Sequence, residues 1–539
     1  MRAALCLALA LASLLAACTS RHAREQSAHP GTLVVALRKE PISLNPLALE
    51  GTDSYTFGPL IYSYLTQYTP DGRSIGDVAI NAPTIQNGGV RDGGRKVTFH
   101  LRHNAKWQDG SPVTARDVLF TYHAIMDPAN NVDSRYGFDR ISSIAAPDPY
   151  TVVLTLKAPF APIVGYFFGG DSNYPLLPAH VLASLPNLNV ASINSSPVGS
   201  GPYALESWQR GDRMTLRANA LYYGGKPAIE HLALPFVPDD STRIEQLQTG
   251  EADAAFLLDA SRIDQLRHIA GHRVVVTPVP YFYALAFNLR RPLQADPTVR
   301  KAIAMAIDRE TLTRKISGGV YDADTAMRGL FTWAYDPSAK PPAFDPAGAR
   351  AILAADGWKR GSDGIRVKNG RRLSMQLIFP NGSPMTNRFA VAIASAVKAV
   401  GIEMSLRGYE RQQFIARDGP ELSGQFDVSL YDYQGTFDPD ASWLLACDQR
   451  SPGGFNLSGY CDKKMDALLT HAVSSFDPKV RIADYAAVQE QIQRDLPYLM
   501  LCQISEVDVI PSGMRGFAQP LLSPFSSVAA WRLSGGPSR

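Results

Sequence analysis

The densest run of groups able to bind or react is Tyr431-Asp432-Tyr433-Gln434-Gly435-Thr436-Phe437-Asp438-Pro439-Asp440, with Trp443 just beyond. Acids, amides and aromatic rings in one short stretch suit a site that strips a ligand of its water. Each polar group buried there needs a partner, and the rest needs apolar cover. Cys447 and Cys461 flank a loop rich in Gly, Ser and Asn, and in an oxidising compartment they are expected to form a disulfide. Other spacings fail as sites. Thr98, His100 and Arg102 alternate on an expected strand, so His100 and His103 fall on opposite faces and share no metal. Asp438, Asp440 and Asp448 lack the spacing of a calcium loop. Gly199-Ser200-Gly201 imitates a loose dinucleotide fingerprint, but Pro202 and the missing helical pattern mark a tight turn. The motifs of zinc proteases, serine hydrolases and phosphate-binding loops are absent from the sequence, so no catalytic centre, cofactor or metal is expected.

The chain has 539 residues, 45% hydrophobic and 19% charged, with a net charge of +3 and no basic stripe. Nucleic acid is therefore not an expected partner, and the length allows about three domains. Arg2 followed by the apolar run Ala3 to Leu15 reads as a secretion signal, too short to span a bilayer. It ends in Leu15-Ala16-Ala17-Cys18, which resembles the bacterial lipobox. That resemblance implies cleavage after residue 17 and a lipid on the Cys18 thiol, with the polar residues 18–30 as a tether. The expected location is outside the cytoplasmic membrane, held by the lipid. Cys502 lies in an apolar run and is expected to be a buried free thiol.

The elements that must position these residues are legible in places. Thr32 to Leu37, Val97 to Leu101 and Thr151 to Leu156 read as strands. Thr114 can cap a helix reaching Met126, whose Val118, Leu119, Tyr122 and Ile125 form one face. Asp296-Pro297 and Asp345-Pro346 each open a helix. Leu373 to Phe379, a helix lined by Phe389, Ile393, Val397 and Val400, and Ile402 to Leu406 make a strand–helix–strand unit that predicts a parallel pair. Two amphipathic helices, Lys463 to Val473 and Lys479 to Arg494, precede a strand-like run from Tyr498 to Ile510.

Six segments in order resemble the family 5 extracytoplasmic solute-binding proteins of peptide, oligopeptide and nickel ABC importers. They are Pro41-Ile42-Ser43-Leu44-Asn45-Pro46, Trp107 to Val118, Gly199 to Tyr203, Asn219 to Pro227, Leu285-Ala286-Phe287-Asn288, and Val299-Arg300-Lys301-Ala302-Ile303 with Ala306 to Arg309. The resemblance implies an α/β, bilobal cluster-C fold with an inserted domain. Lobe I would comprise 31–59, 191–284 and 501–539; the inserted domain II 60–190; and lobe III 285–500. Two crossover strands would act as a hinge that closes over the ligand. A monomer would then deliver a peptide-like ligand to an ABC permease and its ATPase, without catalysis. The alternatives are another solute, such as a nickel chelate, an oligosaccharide or a modified amino acid, or ligand sensing without transport.

In the family, an aspartate three positions before the acid of an Asp/Glu-Pro pair meets a peptide's ammonium. Counted from Asp438-Pro439, that position here is Gly435. Asp432 is the candidate replacement. Tyr433, Trp443, Arg417 and Asn288 complete the expected ligand set, Arg417 and Asn288 through the resemblance.

Overall fold

The computed structural model describes residues 31–48, 52–69, 72–132, 134–185, 187–518 and 523–533. The signal, Cys18 and the tether lie outside the described residues. Along the chain come β1 (Thr32–Ala36), α1 (Thr52–Ile61), β2 (Val90–Arg91), β3 (Lys96–His100), α2 (Ala115–Met126), β4 (Ile141–Asp148) and β5 (Thr151–Leu156). Then follow β6 (Tyr203–Gln209), β7 (Arg213–Ala218), β8 (His231–Pro235), β9 (Ala254–Ala255) and β10 (His272–Phe287). The last part holds α3 (Pro297–Ala306), β11 (Ser374–Pro380), α4 (Pro384–Lys398), β12 (Glu403–Tyr409), β13 (Val428–Gln434), α5 (Lys463–Ser474), α6 (Pro478–Asp495) and β14 (Tyr498–Pro511).

Ten strands form one sheet in the order β12-β11-β13-β10-β14-β9-β1-β8-β7-β6, so both lobes share a hydrogen-bonded spine. A second sheet, β2-β3-β5-β4, belongs to the inserted domain. β11 and β12 pair in parallel across α4, and the left-handed Gly401 (φ +93°) follows that helix. Asp296 caps α3 by accepting from the Thr298 amide, with Pro297 at the first helical position.

The motif Trp107 to Val118 turns out to be architectural. Trp107 is fully buried. The Asp117 carboxylate accepts from the Thr114 amide at 2.8 Å and the Ala179 amide at 2.9 Å, which fixes the start of α2 against the following turn. The buried face of α2 is Val118, Thr121, Ala124 and Ile125, with Leu119 and Tyr122 only partly buried. A threonine can sit there because its hydroxyl is fully used: it donates to the Asp117 carbonyl and accepts from the Leu177 amide. Gly199 and Gly201 lie where a Cβ would meet the Ile61 carbonyl group, so their glycines serve close packing on the end of α1.

β10 and β14 run antiparallel from one lobe into the other. His272 to Pro278 pair with Ser505 to Pro511, the register slips between Pro278 and Phe282, and pairing resumes toward Tyr498. This bulge lies a few residues before residue 285. A bulge breaks the ladder locally and bends the strand. Three apolar cores pack around this sheet. One core joins β1 and β6 to β8 with the β2 to β5 sheet; a second runs from Ala36 and the 244–269 segment into α3, α4 and β11, and a third lies against Phe282, Ala284 and Ala286 of β10 with α5 and α6. Cys502 is buried and free on β14, where burial pushes its thiol up to about 12.

Candidate functional site

β13 is the strand that presents Asp432. Its period of two puts Leu430 and Asp432 on one face and Tyr431 and Tyr433 on the other. Opposite on β10, Tyr283 pairs with Asp432 and Tyr281 with Gln434. The Asp432 side chain is 34% exposed, and Arg411 comes within 4.0 Å of its carboxylate. Burial raises the Asp432 carboxyl above its ordinary range, and Arg411 partly opposes this. Burial also pushes the Tyr281 hydroxyl up, reinforced by the negative charges of Glu506 on β14 and Asp432. Tyr321 is raised by burial beside Tyr283, Cys502 and Asp432. Asp432 and Arg411 thus lie beside Tyr281, Tyr283 and Tyr321, with Glu506 acting on Tyr281 through its charge. Such a set can accept hydrogen bonds from a cationic or amide-rich ligand and cover its apolar parts. Phenols held above their ordinary pKa stay protonated at neutral pH and are poor bases.

The other expected ligand residues go elsewhere. Tyr433 is 5% exposed, stacked on Phe282 at 5.5 Å inside the lobe III core. It cannot share a surface with Asp432, because neighbours on a strand point oppositely. Trp443 packs against the same core. Asn288 is 1% exposed and spent internally. Its amide donates to the Gly424 and Phe426 carbonyls and its oxygen accepts from Arg290 Nε at 2.8 Å. Arg417 is exposed on the loop after Arg411–Ile415. A surface cavity of about 440 Å³ there is lined by its neighbours Ala416 and Asp418 with Arg407, Tyr409 and Gln413. Gly435 is closed to any side chain: a Cβ would stand 2.6 Å from the Gly329 carbonyl and 2.9 Å from that of Pro280. Its amide is already bonded to Pro280. No carboxylate can stand at that position without moving backbone.

Sequence reasoning missed Tyr281, Tyr283, Tyr321, Arg411 and Glu506. The alternation Tyr281-Phe282-Tyr283 was the available signal. The remainder are assembled by strand pairing between distant segments.

Past Gly435 the loop serves a different purpose. Asp438 forms a two-pronged ion pair with Arg481 of α6, at 2.8 and 2.6 Å, both side chains nearly buried. Asp440 accepts from the Tyr136 hydroxyl of the inserted domain at 2.5 Å. The three acids weighed as a metal loop are therefore divided: Asp438 and Asp440 have protein partners, and Asp448 is near the disulfide Cys447–Cys461 that closes the next loop. His103 lies beyond the end of β3, stacked on Tyr150 at 4.1 Å.

Residues 85–454 match the family described as "Bacterial extracellular solute-binding proteins, family 5 Middle". The chain is 30% identical to Protein XP55 of Streptomyces lividans over 492 residues, covering 91% of this chain and 86% of that protein. It is 24% identical to the oligopeptide-binding protein AppA of Bacillus subtilis over 542 residues, 98% and 97% of the two chains. Among solved structures, NikA of Brucella suis in complex with Fe(III)-EDTA superposes with a TM-score of 0.81 at 23% identity, covering 93% of this chain and all (100%) of that one.

Proposed function

Because this chain belongs to the family 5 bacterial extracellular solute-binding proteins, we propose that it captures a peptide or oligopeptide between its lobes and delivers it to an ABC permease, without catalysis. The observation that carries the ligand class is Asp432: a partly open carboxylate on the crossover face, flanked by Tyr281 and Tyr283 and opposed by a single arginine. A peptide's ammonium would give that acid the partner its burial calls for. Phenol rings on the same face suit side chains of varied shape. Ligand contacts available only when both lobes touch it would favour closure about the β10/β14 bulge.

A second reading has its own observation. Gly435 leaves no space for an acid at the family's ammonium-binding position. A non-peptide solute, whether a metal chelate, an oligosaccharide or a modified amino acid, would not need one. Native mass spectrometry of the chain from Thr19 onward, purified without refolding, separates the two. A ladder of bound masses that fragment as peptides is the expected result. A single non-peptidic mass would keep the fold and overturn the peptide reading. Adjacent permease and ATPase genes would distinguish import from sensing.

The anchor is also proposed: Cys18 carries lipid and holds a monomer at the outer face of the cytoplasmic membrane. The supporting residues are Leu15-Ala16-Ala17-Cys18, and no helix among the described residues is long and apolar enough to cross a membrane. Cys18→Ser should move the protein from the membrane to the soluble fraction; continued sedimentation with membranes would defeat the assignment.

A further inference from the structure

We propose that Phe437 and Asp171 form a latch between lobe III and the inserted domain, which biases the hinge toward closure and so slows ligand escape. The inference rests on the capture reading above.

Phe437 is 5% exposed, yet among the described residues it is packed into none of the three apolar cores. Much of its cover comes from the other body. Its ring lies 4.3 Å from that of Tyr68, and a Cβ on Gly72 would collide with it. The Phe437 amide donates to Asp171 Oδ1 at 2.5 Å, and the Asp438 amide donates to Oδ2 at 3.1 Å. Tyr68 adds a third donor, its hydroxyl 2.6 Å from Oδ2. Gly165 and Gly170 leave Tyr68 and Asp171 the space they occupy. Two further bridges flank the seat: Tyr136 to Asp440, and Tyr166 to Thr436 at 3.3 Å.

The far side of the knob is held in lobe III. Thr332 donates its hydroxyl to the Phe437 carbonyl at 2.6 Å. It does so from φ +39°, a left-handed conformation that a β-branched residue rarely accepts. Strain of this kind persists where surrounding structure enforces it, commonly at clamps and switch regions. Phe437 is thus gripped from both bodies, by its amide and ring on one side and its carbonyl on the other.

On this reading the seat parts when the hinge opens, together with the neighbouring contact of the inserted domain with Val473 and Phe476. The inserted domain shares an apolar core with β1 and β6 to β8. Its contact with the 436–440 loop is instead mainly polar, with three carboxylates, Asp171, Asp438 and Asp440, beside Arg481. Burial pushes the Asp171 carboxyl up to about 7 despite its three donors, with the Asp438 charge adding to it. Buried like charge weakens a seat that aromatic packing and hydrogen bonds strengthen, which suits a contact made and broken repeatedly.

The test compares full-length wild type with Phe437→Ala and Asp171→Ala, which strands the Phe437 and Asp438 amides and the Tyr68 hydroxyl, each ligand-free and with a random tetrapeptide library. Small-angle scattering reads the radius of gyration, and hydrogen exchange reads the 66–69 and 436–440 amides. Both variants should enlarge the ligand-free radius and speed those amides on the order of tenfold, with α4 amides unchanged. They should also release bound peptide faster. If wild type contracts on peptide but both variants match it in radius and exchange, the latch is wrong and the capture reading survives. If wild type keeps one radius throughout, closure fails and the latch falls with it. Faster exchange in α4 as well would mean general loosening, and would also overturn the latch.

Discussion

Arg481→Met should lower folding stability by about 3–5 kcal/mol, the usual cost of stranding one partner of a buried ion pair. Both guanidinium forks are committed to Asp438 at 2.8 and 2.6 Å, and the guanidinium also lies 5.2 Å from the Trp333 ring. Removing the cation leaves the Asp438 carboxylate in a pocket that also holds Asp440. Burial raises Asp440, and the Asp438 charge adds to this, so the acids already oppose one another. The double variant Asp438→Leu/Arg481→Met removes both charges and should recover much of the loss, because apolar replacements of a buried pair are often neutral. Urea unfolding midpoints at a common slope check this. A single-variant loss under about 1 kcal/mol would mean that water reaches the pair, since exposed pairs contribute no more than that.

Asp432→Asn should weaken ligand binding about 30-fold or more, the effect of truncating one partner of a desolvated charge pair at 2 kcal/mol or above. Folding stability should be unchanged or raised. The sign follows from the carboxyl, which burial holds above its ordinary range in the folded state. An acid with a raised folded pKa contributes stability below its unfolded value, and that contribution is lost as pH rises through the folded value. At neutral pH the charged Asp432 is therefore a cost to folding that asparagine removes. Calorimetric titration with the ligand recovered from native mass spectrometry measures affinity, and thermal unfolding at pH 7 and pH 4 measures the rest. Affinity within twofold of wild type would remove Asp432 from the site.

Arg411, at 4.0 Å, only partly offsets the cost of a charged Asp432, whereas Asn288 and Asp117 have their partners inside the protein. Both lie in motifs that carry the family resemblance, yet the structure gives both to architecture: Asn288 ties the 424–427 loop to the end of β10, and Asp117 holds the start of α2. A motif strong enough to identify a family need not touch its ligand. Packing constrains a buried asparagine or aspartate to one residue type, while a binding face that takes varied ligands is freer to change.

The features legible from the residues alone are local. Thr114 with Asp117, Asp296 with Pro297, and Gly401 after α4 satisfy or release backbone groups within a few residues, so their helix ends could be read directly. The strand–helix–strand of β11, α4 and β12 was legible because its apolar period changes with its backbone. The long crossover strands were less so. β14 is buried along nearly its whole length, and β10 over its second half, and a strand covered on both faces loses alternation. The faces of β13 were set by tertiary pairing. Adjacent residues such as Asp432 and Tyr433 look equivalent in sequence, but pairing with β10 leaves one partly exposed and sends the other into the core. Gly435 looked like a lost carboxylate until the Gly329 and Pro280 carbonyls occupied its Cβ position. Local hydrogen bonds are encoded within a turn of chain; which face meets water is set by segments hundreds of residues away.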